Sequence, residues 1–203
     1  MSLPVADETV FADLPRSVID ASGNVIYLLD SALRIAYCNP AWDAFALAND
    51  GRSSLASLVL GKHVFDFTAE PLREFYARVF RDAASQSLPV SFDFECSSPD
   101  VRRLMRMDVH YLPSSRGFAF ISALRQEQAH SGEICPEDPA LYLSPAGLIA
   151  MCCHCRRARR VAHPALWDWV PQYVRRMPPN VTHAICPTCM AYFYPPVAQS
   201  ATR

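Results

Sequence analysis

Met151-Cys152-Cys153-His154-Cys155 and Thr182-His183-Ala184-Ile185-Cys186-Pro187-Thr188-Cys189 bracket a segment of about forty residues, too small to bury a core that would hold it folded unaided. Cys152 with Cys155, and Cys186 with Cys189, are C-x-x-C pairs. Two intervening residues let both sulfurs of a pair face one ion, and two such turns supply the four thiolates of a closed tetrahedral site. Zinc is the expected ion. With four sulfurs bound to it no position is left for an activated water, so its expected role is structural. Cys153 and His154 also lie in the first turn and His183 precedes Cys186 by three residues, so three cysteines and one histidine form the alternative ligand set. Redox-active dithiols are the competing chemistry, but a thioredoxin-type pair sits in a strand-to-helix turn of a parallel-sheet fold that this sequence does not display.

The chain has 203 residues, 51% of them hydrophobic, which gives room for one domain of ordinary size and one small appendage. Its longest apolar run, Leu148 to Cys153, is far short of a membrane span. The first residues, with Asp7, Glu8 and Asp13 and no early Lys or Arg, do not read as a signal peptide. A cytoplasmic protein is expected, and there the eight cysteines suit metal ligands and buried thiols better than a disulfide framework. The net charge of −1 hides an asymmetry. Residues 1–151 carry twelve Lys/Arg against nineteen Asp/Glu, net −7, whereas residues 152–203 carry seven Arg against one Asp, net +6. Arg156, Arg157, Arg159 and Arg160 follow the first cysteine pair and are the candidate surface for an acidic partner. A nucleic-acid backbone is the less favoured partner, behind docking on the chain's own acidic part or plain solvation.

Phe11 to Ala21, with Phe11, Leu14, Val18 and Ile19 at helical spacing, reads as a short leading helix weakened by Pro15. Val25–Asp30 and Arg34–Asn39 read as a strand pair joined by Ser31-Ala32-Leu33, and Pro40 then suits the first turn of a helix bearing Trp42 and Phe45. Thr68 is the expected N-cap of a longer helix, with Glu70 and Pro71 in its first turn and an apolar face of Leu72, Phe75, Tyr76, Val79, Phe80 and Ala83. Val90, Phe92, Phe94 and Cys96 alternate with Ser91, Asp93 and Glu95, the period of a half-buried strand. Met105, Met107, Val109 and Tyr111 alternate with Arg106, Asp108 and His110, and a last strand carries Phe118, Phe120 and Ile121.

Ile26-Tyr27-Leu28-Leu29-Asp30 and Arg34-Ile35-Ala36-Tyr37-Cys38-Asn39-Pro40-Ala41-Trp42 resemble the opening of PAS sensor domains. The resemblance implies an α+β fold, a five-stranded antiparallel sheet with flanking short helices, over residues 23–125, after a helical lead at 1–22. It also implies an interior that could hold a ligand, for which Tyr37, Phe45, Phe65, Phe75, Phe92, Phe94, Met107 and Phe118 are the candidate lining; ordinary core packing is the alternative. The Gly-x-Asn-Cys-Arg-Phe-Leu-Gln motif of the flavin-binding relatives has no match, and the long helix carries no haem-ligating histidine. The ligand of the domain is left unassigned. His63 and His110 are expected at the surface, and Cys38 and Cys96 as small strand hydrophobes.

From Arg125 to Ser144 periodicity is lost among Ser131-Gly132, Cys135-Pro136, Glu137-Asp138-Pro139 and Ser144-Pro145, and a linker is expected over 126–147. A zinc module follows over 148–195, with a tail at 196–203. Met151–Arg157, Trp169-Val170-Pro171 and Thr182–Cys189 resemble a small module attached to PAS or receiver domains of bacterial signalling proteins, departing from it at Ala184, where relatives often have Gly. Proline between paired cysteines, as at Pro187, is typical of zinc knuckles.

The chain shows no Gly-rich phosphate loop, no Gly-x-Ser-x-Gly and no His-Glu-x-x-His, so no enzymatic activity is expected. A cytoplasmic signalling or regulatory sensor with a structural-zinc interaction module and a protein partner is the leading reading. A thiol redox switch and an Arg-rich nucleic-acid-binding regulator are its alternatives. Homodimerisation is expected on the PAS resemblance alone.

Overall fold

Val25–Leu29 (β1) and Ile35–Cys38 (β2) form the expected antiparallel pair. The computed structural model describes residues 8–49, 51–68, 70–86, 88–98, 100–129 and 134–194; residues 1–7, Ser131-Gly132 and the expected tail 196–203 lie outside them. Between the two strands the Asp30 carboxylate accepts from the backbone N–H groups of Ala32 and Arg34, each at 2.9 Å, and Leu33 takes φ 57°, closing the turn. Asn39 follows, 1% exposed. Its Oδ1 accepts from Ile26 N–H at 3.0 Å and from Trp42 N–H at 3.2 Å, capping the helix Pro40–Ala48 (α2), and its Nδ2 donates to the carbonyls of Ile19 and Asn24. One side chain thus ties the lead, β1 and α2 together.

The short helix Ala56–Val59 (α3) and the long helix Arg73–Ser85 (α4) come next, then Val90–Glu95 (β3), Val101–Leu112 (β4) and Gly117–Ala129 (β5). The sheet order is β2-β1-β5-β4-β3, and β3–β4 and β4–β5 are joined by short turns. Five antiparallel strands with flanking helices are what the PAS resemblance implies. At Gly117 an added Cβ would stand 2.1 Å from the Leu29 carbonyl oxygen, so close β1–β5 pairing requires glycine there. Helix α4 begins five residues later than Thr68, after a 3-10 turn at Glu70–Leu72; the Thr68 hydroxyl donates to the Val64 carbonyl instead of capping.

Alternation gives the sheet two apolar faces. On one, Tyr27 stacks on Phe120 at 4.6 Å, and Phe80 of α4 meets Phe118 at 4.8 Å and Phe120 at 5.9 Å. On the other, Ile26, Leu28, Leu112 and Ala119 pack with Val10, Phe11 and Ile19 of the lead. That lead is not one helix. Pro15, lacking an N–H, separates a 3-10 turn at Glu8–Phe11 from the helix Arg16–Asp20 (α1). Asp13 fastens it by accepting from the Ser114 N–H at 2.9 Å and hydroxyl at 2.7 Å.

The chain divides into two compact units, Met1–Asp93 with Arg103–Glu127, and Phe94–Arg102 with Gln128–Arg203. No separate linker spans 126–147 in the described residues. Strand β5 continues to Ala129, Pro139–Tyr142 is a helical turn (α5), and Tyr142, 1% exposed, is core of the second unit. The exposed end of β5 shows no alternating apolar residues, which hid the strand. In the second unit Ile149–Cys152 (β6), Ala158–Arg159 (β7), Trp167–Asp168 (β8) and Val181–Ala184 (β9) form a sheet of order β8-β7-β6-β9. Pro171–Arg175 (α6) and Pro187–Phe193 (α7) complete it, with Pro171 as a first-turn residue. No helix among the described residues is long and apolar enough to cross a membrane.

Replacing Asn39 with Ala leaves several buried backbone groups without their partner, and is expected to cost about 2–4 kcal/mol of stability. Urea denaturation followed by near-ultraviolet circular dichroism checks it; an unchanged midpoint would remove Asn39 from its central place.

Candidate metal centre

Strands β6 and β9 run parallel, with Ile149, Ala150, Met151 and Cys152 opposite Val181, Thr182, His183 and Ala184. Both therefore end side by side, and each is followed by its C-x-x-C pair. The first pair closes a tight turn: Cys152 N–H donates to the Arg157 carbonyl at 2.9 Å, and Arg156 N–H donates to the Cys152 carbonyl at 3.1 Å. Arg156 takes φ 62°, a left-handed conformation that costs a side-chain-bearing residue about 1–2 kcal/mol. The second pair opens a helix and is not a second turn of the same kind. Cys186 is the N-cap of α7, its sulfur accepts from Cys189 N–H at 3.4 Å, and Pro187 is the first helical residue.

Cys152, Cys155, Cys186 and Cys189 are brought together, buried, with their sulfurs all within 4.8 Å of one another. The Cys155 and Cys186 sulfurs are 3.7 Å apart. Zinc–sulfur bonds of about 2.3 Å at tetrahedral angles place sulfurs about 3.8 Å apart, so this donor set fits the ion. Cys186 N–H donates to the Cys152 sulfur at 3.3 Å, which favours a thiolate there. Hydrogen bonds from Cys155, Cys186 and Cys189 hold the Cys152 thiol far below its usual pKa. Cys189 is pushed up by its bonds with Cys152, Cys155 and Cys186, and Cys155 by those with Cys152 and Cys186. Four thiols this close oppose one another's ionisation, a conflict that a divalent cation would relieve.

The alternative ligands stand outside this cluster. Cys153 is half-buried, and burial raises its thiol to about 11. His154 is buried, stacks on Phe193 at 5.1 Å and places Nε2 2.6 Å from the Tyr194 hydroxyl. Burial favours its neutral imidazole. His183 is exposed on β9. Trp167, Ile185 and Phe193 pack against the four cysteines.

The four arginines divide. Arg160 donates to Asp168 Oδ2 at 2.5 Å, and the same oxygen accepts from the Tyr142 hydroxyl at 2.9 Å. Arg160 is therefore part of the unit's internal bonding and not of a free basic surface, while Arg159 is exposed and Arg156 and Arg157 are half-buried. The Asp168 junction was missed in the sequence, although a single carboxylate among seven arginines in 152–203 was the signal for it.

The candidate pocket residues also divide. Phe65, Phe75, Phe92 and Phe118 join the helix-facing ring network, Phe65 with Phe80 at 6.0 Å and Phe75 with Phe92 at 5.1 Å. Met107, 7% exposed, accepts through its sulfur from the Ser122 hydroxyl at 3.6 Å. Phe45 lies under the Arg103 guanidinium at 5.9 Å. Phe94 is half-buried on β3, in the second unit. Tyr37 lies on the opposite face: a register shift in the β1–β2 pair sets it beside Leu28, where it packs with Phe11 at 4.9 Å and donates to Asp20. His63, half-buried, accepts from Phe65 N–H at 3.2 Å and caps a 3-10 turn, and His110 is half-buried too, so neither is the open surface histidine expected.

No protein-family model matches the sequence, and no curated protein is significantly similar to it. Similar solved structures include the PAS domain of Bordetella pertussis BvgS, 19% identical over 55% of this chain and 81% of that one, with a TM-score of 0.36. The Rhodobacter sphaeroides LOV protein is 17% identical over 58% of this chain and 68% of that one, with a TM-score of 0.41. The photoactive yellow protein domain of the sensor histidine kinase Ppr from Rhodospirillum centenum is 14% identical over 58% of this chain and 99% of that one, with a TM-score of 0.41.

Two substitutions probe the scaffold of the centre. Arg156→Gly relieves the left-handed strain and is expected to raise the stability of the unit by up to about 1 kcal/mol. Asp168→Ala strips Tyr142 and Arg160 of their acceptor and is expected to cost about 1–3 kcal/mol. Thermal denaturation of the two variants checks both signs, and a loss for the glycine variant would contradict the strain argument.

Proposed function

We propose that this chain is a non-catalytic signalling or regulatory protein of the cytoplasm. A PAS-type domain senses a small molecule or pairs with a partner, and a structural zinc module presents a rigid surface to a protein of the same pathway. The observation that carries the reading is the convergence of four buried sulfurs at the ends of β6 and β9. Cys152, Cys155, Cys186 and Cys189 would hold the ion, which supplies structural bonds in place of a larger core. The closed four-sulfur set favours that role over hydrolytic chemistry.

The sensor half of the reading rests on the Ile26–Trp42 resemblance and the sheet order β2-β1-β5-β4-β3. Its aromatic interior gives the first unit a packed core whichever kind of signal it handles. The redox alternative gains a strand-to-helix setting that the sequence did not display, since Cys186–Cys189 opens α7 after β9 beside the parallel strand β6. The convergence of all four sulfurs within 4.8 Å nevertheless favours one shared ion over two separate dithiols.

Native mass spectrometry of the full chain is expected to show a single bound zinc. Stripping it with a chelator, or replacing Cys189 with Ser, is expected to abolish amide-exchange protection in β6 and β9. Purified protein that carries no ion yet keeps that protection would overturn the reading.

A further inference from the structure

Strand alternation sorts the basic residues around β7 by face. Ala158 packs with Tyr142, Met151 and Tyr173, and Arg160, two residues on, is bonded to Asp168. Arg159, and Arg157 just before the strand, therefore point to the other side. There the β7–β8 register sets Trp167 opposite Arg159, and Trp167 packs against the four cysteines. Leu166, whose carbonyl accepts from the Arg160 N–H at 3.1 Å, falls on the Arg160 side instead. Among the described residues neither Arg157 nor Arg159 forms an ion pair, whereas Arg160 and Arg175 are matched by Asp168 and Asp100. The result is a small face of two uncommitted guanidiniums around a half-buried tryptophan. Arginine and tryptophan are the residue types that dominate binding energy at protein interfaces.

The number of free charges separates the classes of partner. Arg157 and Arg159, even with Arg156, would neutralise about three phosphates, giving a log–log salt slope near −3, against about 6–10 phosphates for committed duplex binders. Two or three such pairings suit a short acidic protein segment, and its apolar side chain has Trp167 to rest on. We propose that the Arg157/Arg159/Trp167 face is a docking surface for an acidic segment of a protein partner that also carries an apolar residue. This rests on the zinc-module reading, since the cysteine cluster holds Trp167 in place.

A fluorescein-labelled glutamate-rich peptide with interspersed leucines, titrated by anisotropy into the full-length protein, tests the surface, with zinc content measured on the same sample. Binding is expected to weaken about tenfold for Arg157→Glu or Arg159→Glu. It is expected to change less than about twofold for Arg176→Glu, a charge reversal at the C-cap of α6. Replacing the leucines of the peptide by serines is expected to weaken it further. Zinc-loaded protein that ignores the peptide, or responds equally to all three reversals, overturns the surface and leaves the zinc reading standing. Binding that persists in protein without zinc overturns the zinc reading alone. Tighter binding of duplex DNA, lost with the same arginines, overturns the choice of an acidic protein segment.

Discussion

Parallel pairing of β6 with β9 is the constraint from which the second unit follows. Cys152 opposite Ala184 brings the two strand ends into register, so the turn after one and the helix after the other deliver their sulfurs to one place. Four buried thiols at that spacing cannot all ionise together without a cation, because like charges in a poorly hydrated site raise one another's pKa. A divalent ion would resolve the conflict and tie β6, β9 and α7 to a common point. The remaining core of the unit is modest: Tyr142, Ile149, Met151, Val170 and Tyr173 surround Ala158. Asp168 adds a polar junction by accepting from both Tyr142 and Arg160.

The first unit depends on a different kind of bond. It has apolar surface on both faces of its sheet, and needs a cover on each. Helix α4 and its neighbours cover one side with aromatic rings; the lead covers the other with Val10, Phe11 and Ile19. Asn39 joins these layers at their edge, satisfying backbone groups from three elements in a site from which water is excluded. In such a place a polar side chain is held by directional bonds, and the position of α2 is fixed with it.

How much was legible in the sequence depended on whether a residue's role is local. The β1–β2 hairpin, the apolar face of α4 and the alternation of Met105, Met107 and Val109 follow from spacing alone, as did the four cysteines. Tyr37 was placed on the wrong face because the register shift that moves it is invisible in an alternating pattern. Glu95 reads as the polar side of a strand but is 8% exposed, accepting from the Ser97 hydroxyl at 2.8 Å and pairing with Arg102 at 3.5 Å. The segment 134–143 looked like a linker because one side chain, Tyr142, anchors it, with the Cys135 N–H donating to the Trp169 carbonyl at 2.9 Å. Arg160 read as surface charge because its partner, Asp168, lies on the neighbouring strand.

The central claim is that Cys152, Cys155, Cys186 and Cys189 bind one zinc ion as its complete set of ligands. X-ray absorption at the zinc edge of the purified protein measures that directly. The account predicts four sulfur neighbours at about 2.3 Å and no nitrogen or oxygen in the coordination shell. A shell of three sulfurs and one nitrogen would bring His154 or His183 back as a ligand and contradict it.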